Sequence, residues 1–149
     1  MFPYNRKRRL RKNTALRDMV RENHLHPDDF LVPLFVVEGK NVKEEIPSMP
    51  QTFRMSLDEI EKEVRSLWSM GLKGVLVFAK VSDVLKDNAG TEALNPQGLM
   101  QRAIQTIKNA VPEMVVFSDV ALDPYSSFGH DGIVENNKIL NDETVEVLA

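Results

Sequence analysis

A chain of 149 residues that is 42% apolar and 28% charged has the size and make-up of one globular unit able to bury a core. It holds no cysteine, which excludes a disulfide framework and a thiolate metal site and suits a reducing cytoplasm. No long apolar run follows the basic N-terminus, so neither a signal peptide nor a membrane span is expected.

The net charge of −3 conceals an asymmetry. Arg6, Lys7, Arg8, Arg9, Arg11 and Lys12 stand in the first twelve residues without an acid, which leaves a strongly acidic body behind a basic arm. The arm lacks interleaved aromatics and any DNA-reading motif, so no nucleic-acid partner is expected. Residues 14–21 suit a short helix, and 23–29 read as a loop broken by Pro27, with His24 and His26 on its surface. Residues 1–29 are thus an arm with a short helix, and 30–149 are a separate α/β unit.

Residues 31–37 (LVPLFVV) are the first strand, with Pro33 tolerated near its start or at a bulge. Residues 40–54 read as a loop punctuated by Pro47 and Pro50. Ser56 and Glu59 then have capping-box spacing. Leu57, Ile60, Val64, Leu67 and Trp68 recur at helical intervals, and Gly71 supplies the stop. Residues 74–79 (GVLVFA) are a second buried strand, leading into Lys80. A desolvated lysine at a strand end can form a Schiff base as in barrel aldolases, although an exposed lysine leading a charged loop is the plainer reading. Residues 81–94 are a polar loop whose 87–92 segment is placed to cover a site. Asn95-Pro96 reads as an N-cap with proline at the first helical position, followed by an apolar face of Leu99, Ala103, Ile104, Ile107 and Val111.

Residues 114–117 (MVVF) have the unalternating apolar pattern of a parallel strand covered on both faces. Asp119 follows at its carboxyl end, where open α/β sheets and βα-barrels keep their sites. Within a few residues come Asp123, Tyr125, Ser126, Ser127, His130 and Asp131. Carboxylates alone favour a hard cation, Mg²⁺ before Zn²⁺, and three like charges either raise one pKa or call for a cation. A solvated loop built on Asp123-Pro124 and the glycines at 129 and 132 accounts for the same residues. Asn141 reads as the N-cap of a last helix with Asp142 and Glu143 in its first turn. Strand centres near 35, 76 and 116 imply βα units. Three such units begin, but cannot close, a (β/α)₈ barrel, and a small doubly wound domain fits the pattern nearly as well.

The stretch DVALDPYSSFGHDG with ILNDETVEVL after it, RRLRKN at Arg8 to Asn13 and PLFVVEG at Pro33 to Gly39 resemble the porphobilinogen synthase (5-aminolevulinate dehydratase) family. The resemblance runs from about Arg8 to Ala149 and implies the N-terminal part of a (β/α)₈ TIM barrel preceded by an extended arm. It further implies a lyase that condenses two 5-aminolevulinate molecules to porphobilinogen, with loss of two waters, in tetrapyrrole (haem) biosynthesis. The family's arm wraps a neighbouring subunit of a homo-octamer.

One branch of the family binds catalytic zinc through three cysteines. Those positions fall here on Ala121, Asp123 and Asp131, which implies the aspartate-rich branch, stimulated by Mg²⁺ and independent of zinc. By the same resemblance Asp119 and Tyr125 support catalysis, Asp123, Asp131 and Ser127 shape the second substrate's site, and Asp123 with Asp131 are candidate metal ligands. The two Schiff-base lysines match no position up to Ala149, so these 149 residues alone are expected to be inactive. Two positions depart from the pattern: Phe128 replaces a histidine, and Gln51 replaces a glycine. The alternatives are another Schiff-base lyase using Lys80, or a non-catalytic assembly module.

Overall fold

The computed structural model describes Pro3, Tyr4 and residues 8–149, so Arg6 and Lys7 of the basic arm lie outside the described residues. The first α-helix, α1 (Thr14–Met19), is capped by Asn13, whose side-chain oxygen accepts the Leu16 N–H at 2.9 Å. It ends two residues before the expected 21 and buries no residue.

Strand β1 (Leu31–Val37) has the expected bounds. The loop expected after it contains two further strands, β2 (Lys43–Glu45) and β3 (Phe53–Met55), paired antiparallel. Each is three residues long, too short to display a period of two, yet Met55 is buried and β3 pairs parallel to β1.

Helix α2 (Leu57–Ser69) buries Ile60, Val64 and Leu67 as the spacing predicts. The capping box does not form. Ser56 is fully buried, its hydroxyl donating to Asp58 at 2.6 Å and accepting the Val42 N–H at 2.9 Å, while Glu59 pairs with Lys62. The hydroxyl is taken by the neighbouring loop before the helix can use it. At the other end Gly71, at φ 94, donates to Trp68 O while Leu72 donates to Leu67 O, a Schellman closure that favours glycine. Trp68 is a packing residue with the Lys73 ammonium 3.9 Å from its ring centroid.

Strand β4 (Gly74–Lys80) runs one residue further than expected, taking in Lys80, and pairs parallel with β1 from Leu31↔Gly74 to Val37↔Lys80. Helix α3 (Leu99–Ala110) starts later than Asn95-Pro96 implied. Asn95 accepts the Gln97 N–H and, through its carbonyl, the Gly98 N–H, so the pair forms a turn ahead of a helix whose N-cap is Gly98.

Strand β5 (Val115–Ser118) pairs parallel with β4 and is the sheet's edge. It is not covered on both faces: Val115 is 51% and Phe117 45% exposed, because no described strand lies beyond it. A two-residue hairpin that the pattern did not reveal follows, β6 (Val134–Glu135) and β7 (Lys138–Ile139), turned through Asn136 and Asn137 at φ 51 and 60. Both angles suit the type I′ turn of tight hairpins, which asparagine tolerates. Helix α4 (Asn141–Leu148) has Leu140 at the N-cap position, so Asn141 is its first helical residue instead. Thr144 anchors it, donating to Leu140 O and accepting the Ile133 N–H.

The sheet order is β2-β3-β1-β4-β5. Helices α2 and α3 cover one face, burying Leu34, Val36, Val75, Val77 and Ala79 against Ile60, Val64, Ala103 and Ile107. On the other face Phe35 and Phe78 stack at 5.3 Å between centroids. Since β1, β4 and β5 are parallel, their carboxyl ends share one rim, where Lys80 ends β4 and Asp119 follows β5.

Candidate active site

The rim is built by two loops, 81–98 after β4 and 119–133 after β5. The second is pinned by three buried residues, Leu122, Tyr125 and Ser126. The Leu122 carbonyl accepts the N–H groups of both Tyr125 and Ser126, at 2.9 and 2.8 Å. Asp87 grips the same stretch like a strand residue, donating its N–H to Tyr125 O at 3.2 Å and accepting the Ser127 N–H at 2.9 Å. The 87–92 segment, expected to cover a site, therefore holds the loop by its main chain.

Asp119 and Tyr125 line one cavity of about 290 Å³ together with Met100, Gln101, Ile104 and Leu148. Burial pushes the Tyr125 hydroxyl above the ordinary phenol range, and the Glu92 carboxylate adds to the push. Gln101 donates to Ala93 O at 2.8 Å, while its buried side-chain oxygen has no hydrogen-bond partner among the described residues. A larger cleft of about 560 Å³, between Trp68, Arg65 and Pro112, lies at the opposite end, where α2 and α3 finish.

Asp123 and Asp131 are brought together: the Asp123 N–H donates to an Asp131 carboxylate oxygen at 3.2 Å. Partial desolvation raises the Asp123 carboxyl above the ordinary range although the residue keeps solvent contact, and the charges of Asp131 and then Asp119 push the same way. The three aspartates thus share one field. Ser127 is held by its main chain on Asp87, and its side chain is exposed.

Among the described residues no three His, Asp or Glu side chains converge as a metal-holding group. Ala121 offers no donor, and the His130 Nδ1 already accepts the Gly132 N–H at 3.0 Å. A carboxylate pair suits a hard cation that keeps most of its waters better than a zinc ion, whose sites gather three or four protein donors, mostly histidine and cysteine. Lys80, at the end of β4, is exposed in these 149 residues.

Sequence reasoning did not single out Glu92, Gln101 or Asn88. Glu92 and Asn88 lie in the 87–92 segment, whose polarity marked it as a loop without assigning partners. Gln101 is on the first turn of α3 and gave no signal.

The delta-aminolevulinic acid dehydratase family matches residues 4–149. The delta-aminolevulinic acid dehydratase of Chlamydia pneumoniae is 48% identical over 142 residues, covering 95% of this chain and 43% of its own length. That of Bacillus subtilis is 47% identical over 146 residues, covering 98% and 44%. The crystal structure of delta-aminolevulinic acid dehydratase (porphobilinogen synthase) from Toxoplasma gondii, in complex with the reaction product porphobilinogen, superposes with a TM-score of 0.91 at 46% identity. It covers 97% of this chain and 41% of that one. The chain therefore spans less than half the length of these relatives. With that overlap the parallel sheet is part of a (β/α)₈ barrel, and the doubly wound alternative falls away.

Proposed function

We propose, since the chain belongs to the delta-aminolevulinic acid dehydratase family, that it forms the N-terminal portion of an enzyme condensing two 5-aminolevulinate molecules to porphobilinogen, with loss of two waters. The observation carrying this reading is the overlap with a relative that holds porphobilinogen, whose matching portion is nearly the whole of this chain.

Two ketone substrates become electrophilic when lysine amines convert them to iminium ions, and each conversion needs protons moved and positive charge balanced. Asp119, at the end of β5 and beside the cavity, is suited to both tasks. Tyr125, kept neutral by burial, presents a phenol to the same cavity. Asp123, Asp131 and Ser127 shape the second substrate's ammonium-binding side, where carboxylates are complementary. The Schiff-base lysines come from outside these 149 residues, since Lys80 is solvated. Mg²⁺, where bound, would be held by Asp123 and Asp131 and would neutralise their mutual repulsion. The exposed Leu10, Met19, Val20 and Leu25 beside the basic residues give the arm the apolar surface with which to grip a neighbouring copy in an octamer. No described helix is long and apolar enough to cross a membrane, and the cysteine-free composition supports a cytoplasmic location.

The test is a chimera in which residues 8–149 replace the matching portion of the Bacillus subtilis relative. It is expected to make porphobilinogen, to resist zinc chelators and to respond to Mg²⁺. Asp119→Asn in it should lower kcat by about 10²–10⁴-fold. An inactive but folded chimera would overturn the assignment. In parallel, borohydride treatment of the 149-residue chain with 5-aminolevulinate should leave no adduct, whereas a stoichiometric adduct on Lys80 would favour an aldolase-like lyase.

A further inference from the structure

The loop that carries the candidate carboxylates has no regular secondary structure between β5 and β6, so its shape depends on its tethers. Its first half is fixed by buried Leu122 and Tyr125 and by the Asp87 main chain. Its second half, which carries His130 and Asp131, holds no residue as deeply buried apart from Gly132. Hairpin β6–β7 and helix α4 come next in the chain, joined to each other by Ile133 and Thr144. The hydrogen bonds described between residues 133–149 and the chain before residue 119 are both made by one side chain. Asn88 donates from its amide nitrogen to Val134 O at 3.0 Å and accepts the Val134 N–H on its amide oxygen at 3.0 Å.

An amide side chain making that pair of bonds imitates a paired strand residue, supplying one donor and one acceptor to the main chain opposite. Asp87 and Asn88 are consecutive. One grips Tyr125 and Ser127, the other grips Val134, so the intervening 128–133 segment is a closed loop with both ends fixed on the same dipeptide. Asp131 lies in that closed loop, and its carboxylate meets the Asp123 N–H. Asp87 is itself held in place, its carboxylate accepting the Thr91 N–H at 3.0 Å.

We infer that Asn88 is a positioning residue: its two bonds to Val134 fix the 128–133 segment so that Asp131 stands against Asp123. The inference rests on the reading of that aspartate pair as part of the active site. Asn88 touches neither aspartate and acts only through the loop. Only an amide of this length supplies both bonds at once. Aspartate keeps the acceptor and loses the donor, and alanine loses both.

The experiment is amide hydrogen exchange on the 149-residue chain, parent against Asn88→Ala. Exchange at Val134 and at Asp123 should each rise about tenfold, the value of one hydrogen bond, while Ser127, bonded to the Asp87 carbonyl, and the α2 amides keep parent protection. Faster exchange at Val134 with Asp123 unchanged would overturn the proposal. Should Asn88→Ala loosen α2 as well, Asn88→Asp decides: Asp123 exchange between parent and alanine supports the proposal, and parent-like exchange overturns it. In the active chimera Asn88→Ala should raise KM about tenfold and leave kcat within about twofold, since Asp119 lies outside the closed segment. A kcat loss with KM unchanged would also count against it. A chimera inactive before mutation overturns the assigned reaction and leaves the exchange measurement to decide on Asn88.

Discussion

The helix-covered face of β1 and β4 and the loop after β5 are held by different forces. On that face Val36, Val75, Val77, Ile60, Val64, Ala103 and Ile107 are all fully buried, and contact area stabilises the arrangement without needing any one direction. In the loop only Leu122, Tyr125 and Ser126 of residues 119–131 are buried, and the remaining geometry comes from directed bonds made by Asp87, Asn88 and Asp131. Area tolerates exchange of one apolar residue for another. Directed bonds do not, and here one holds Asp123 against Asp131, whose charge adds to the desolvation that raises the Asp123 pKa.

The largest expected effect lies in the core. Ile107→Ala should destabilise the chain by about 2–5 kcal/mol, read from the urea midpoint at unchanged slope, because a buried side chain leaves both lost contact and a cavity. A loss below about 1 kcal/mol would show that α3 is not packed as described.

Gly90 joins the two regions. It adopts φ 65, and a Cβ there would meet Leu122 Cδ2 at 2.9 Å. Gly90→Ala should therefore cost about 1–2 kcal/mol and loosen the loop before the core, seen as faster exchange at Ser127 with α2 unchanged. Simultaneous loosening of both regions would erase the distinction between them.

Asp123→Asn tests the electrostatic side. A carboxyl whose folded pKa is raised binds its proton more tightly in the folded state. Its contribution to stability therefore falls as pH rises from the unfolded value, 3.8, through the folded one. Asp123→Asn removes that penalty, so Tm by calorimetry should rise at pH 7, with the gain fading as the pH falls through the raised folded value and gone below 3.8. A lower Tm at pH 7 would mean that Asp123 is net stabilising there and that its raised pKa is not what governs it.

The smallest effect belongs to the β2–β3 loop. Gln51 sits at φ 63, in the left-handed region that favours glycine, donating its N–H to Glu45 at 2.8 Å. Gln51→Gly should stabilise by about 0.5 kcal/mol, relief of left-handed strain less the added unfolded-state entropy. No gain in urea midpoint would show the turn to be unstrained.

Features that repeat along the chain can be read from its residues alone. The strands β1 and β4 and the helix α2 are legible because burial acts on many residues at once, writing a continuous apolar run where a strand is covered and a period of 3.6 where one helix face is. The family was legible because long stretches such as DVALDPYSSFGHDG fix residue types in order. Single contacts write no period, and there tertiary structure decided. Ser56 has capping-box spacing, but its hydroxyl serves Val42 and Asp58. Asn95 has cap chemistry, but closes a turn three residues early. β5 reads as buried because its residues are apolar, yet exposure depends on what surrounds it, and no described strand lies on its side away from β4. Asn88 looks like any loop asparagine until the chain folds Val134 onto it across 46 positions. A hydrogen bond spans about 3 Å of space regardless of sequence distance, so only the folded chain shows which donor meets which acceptor.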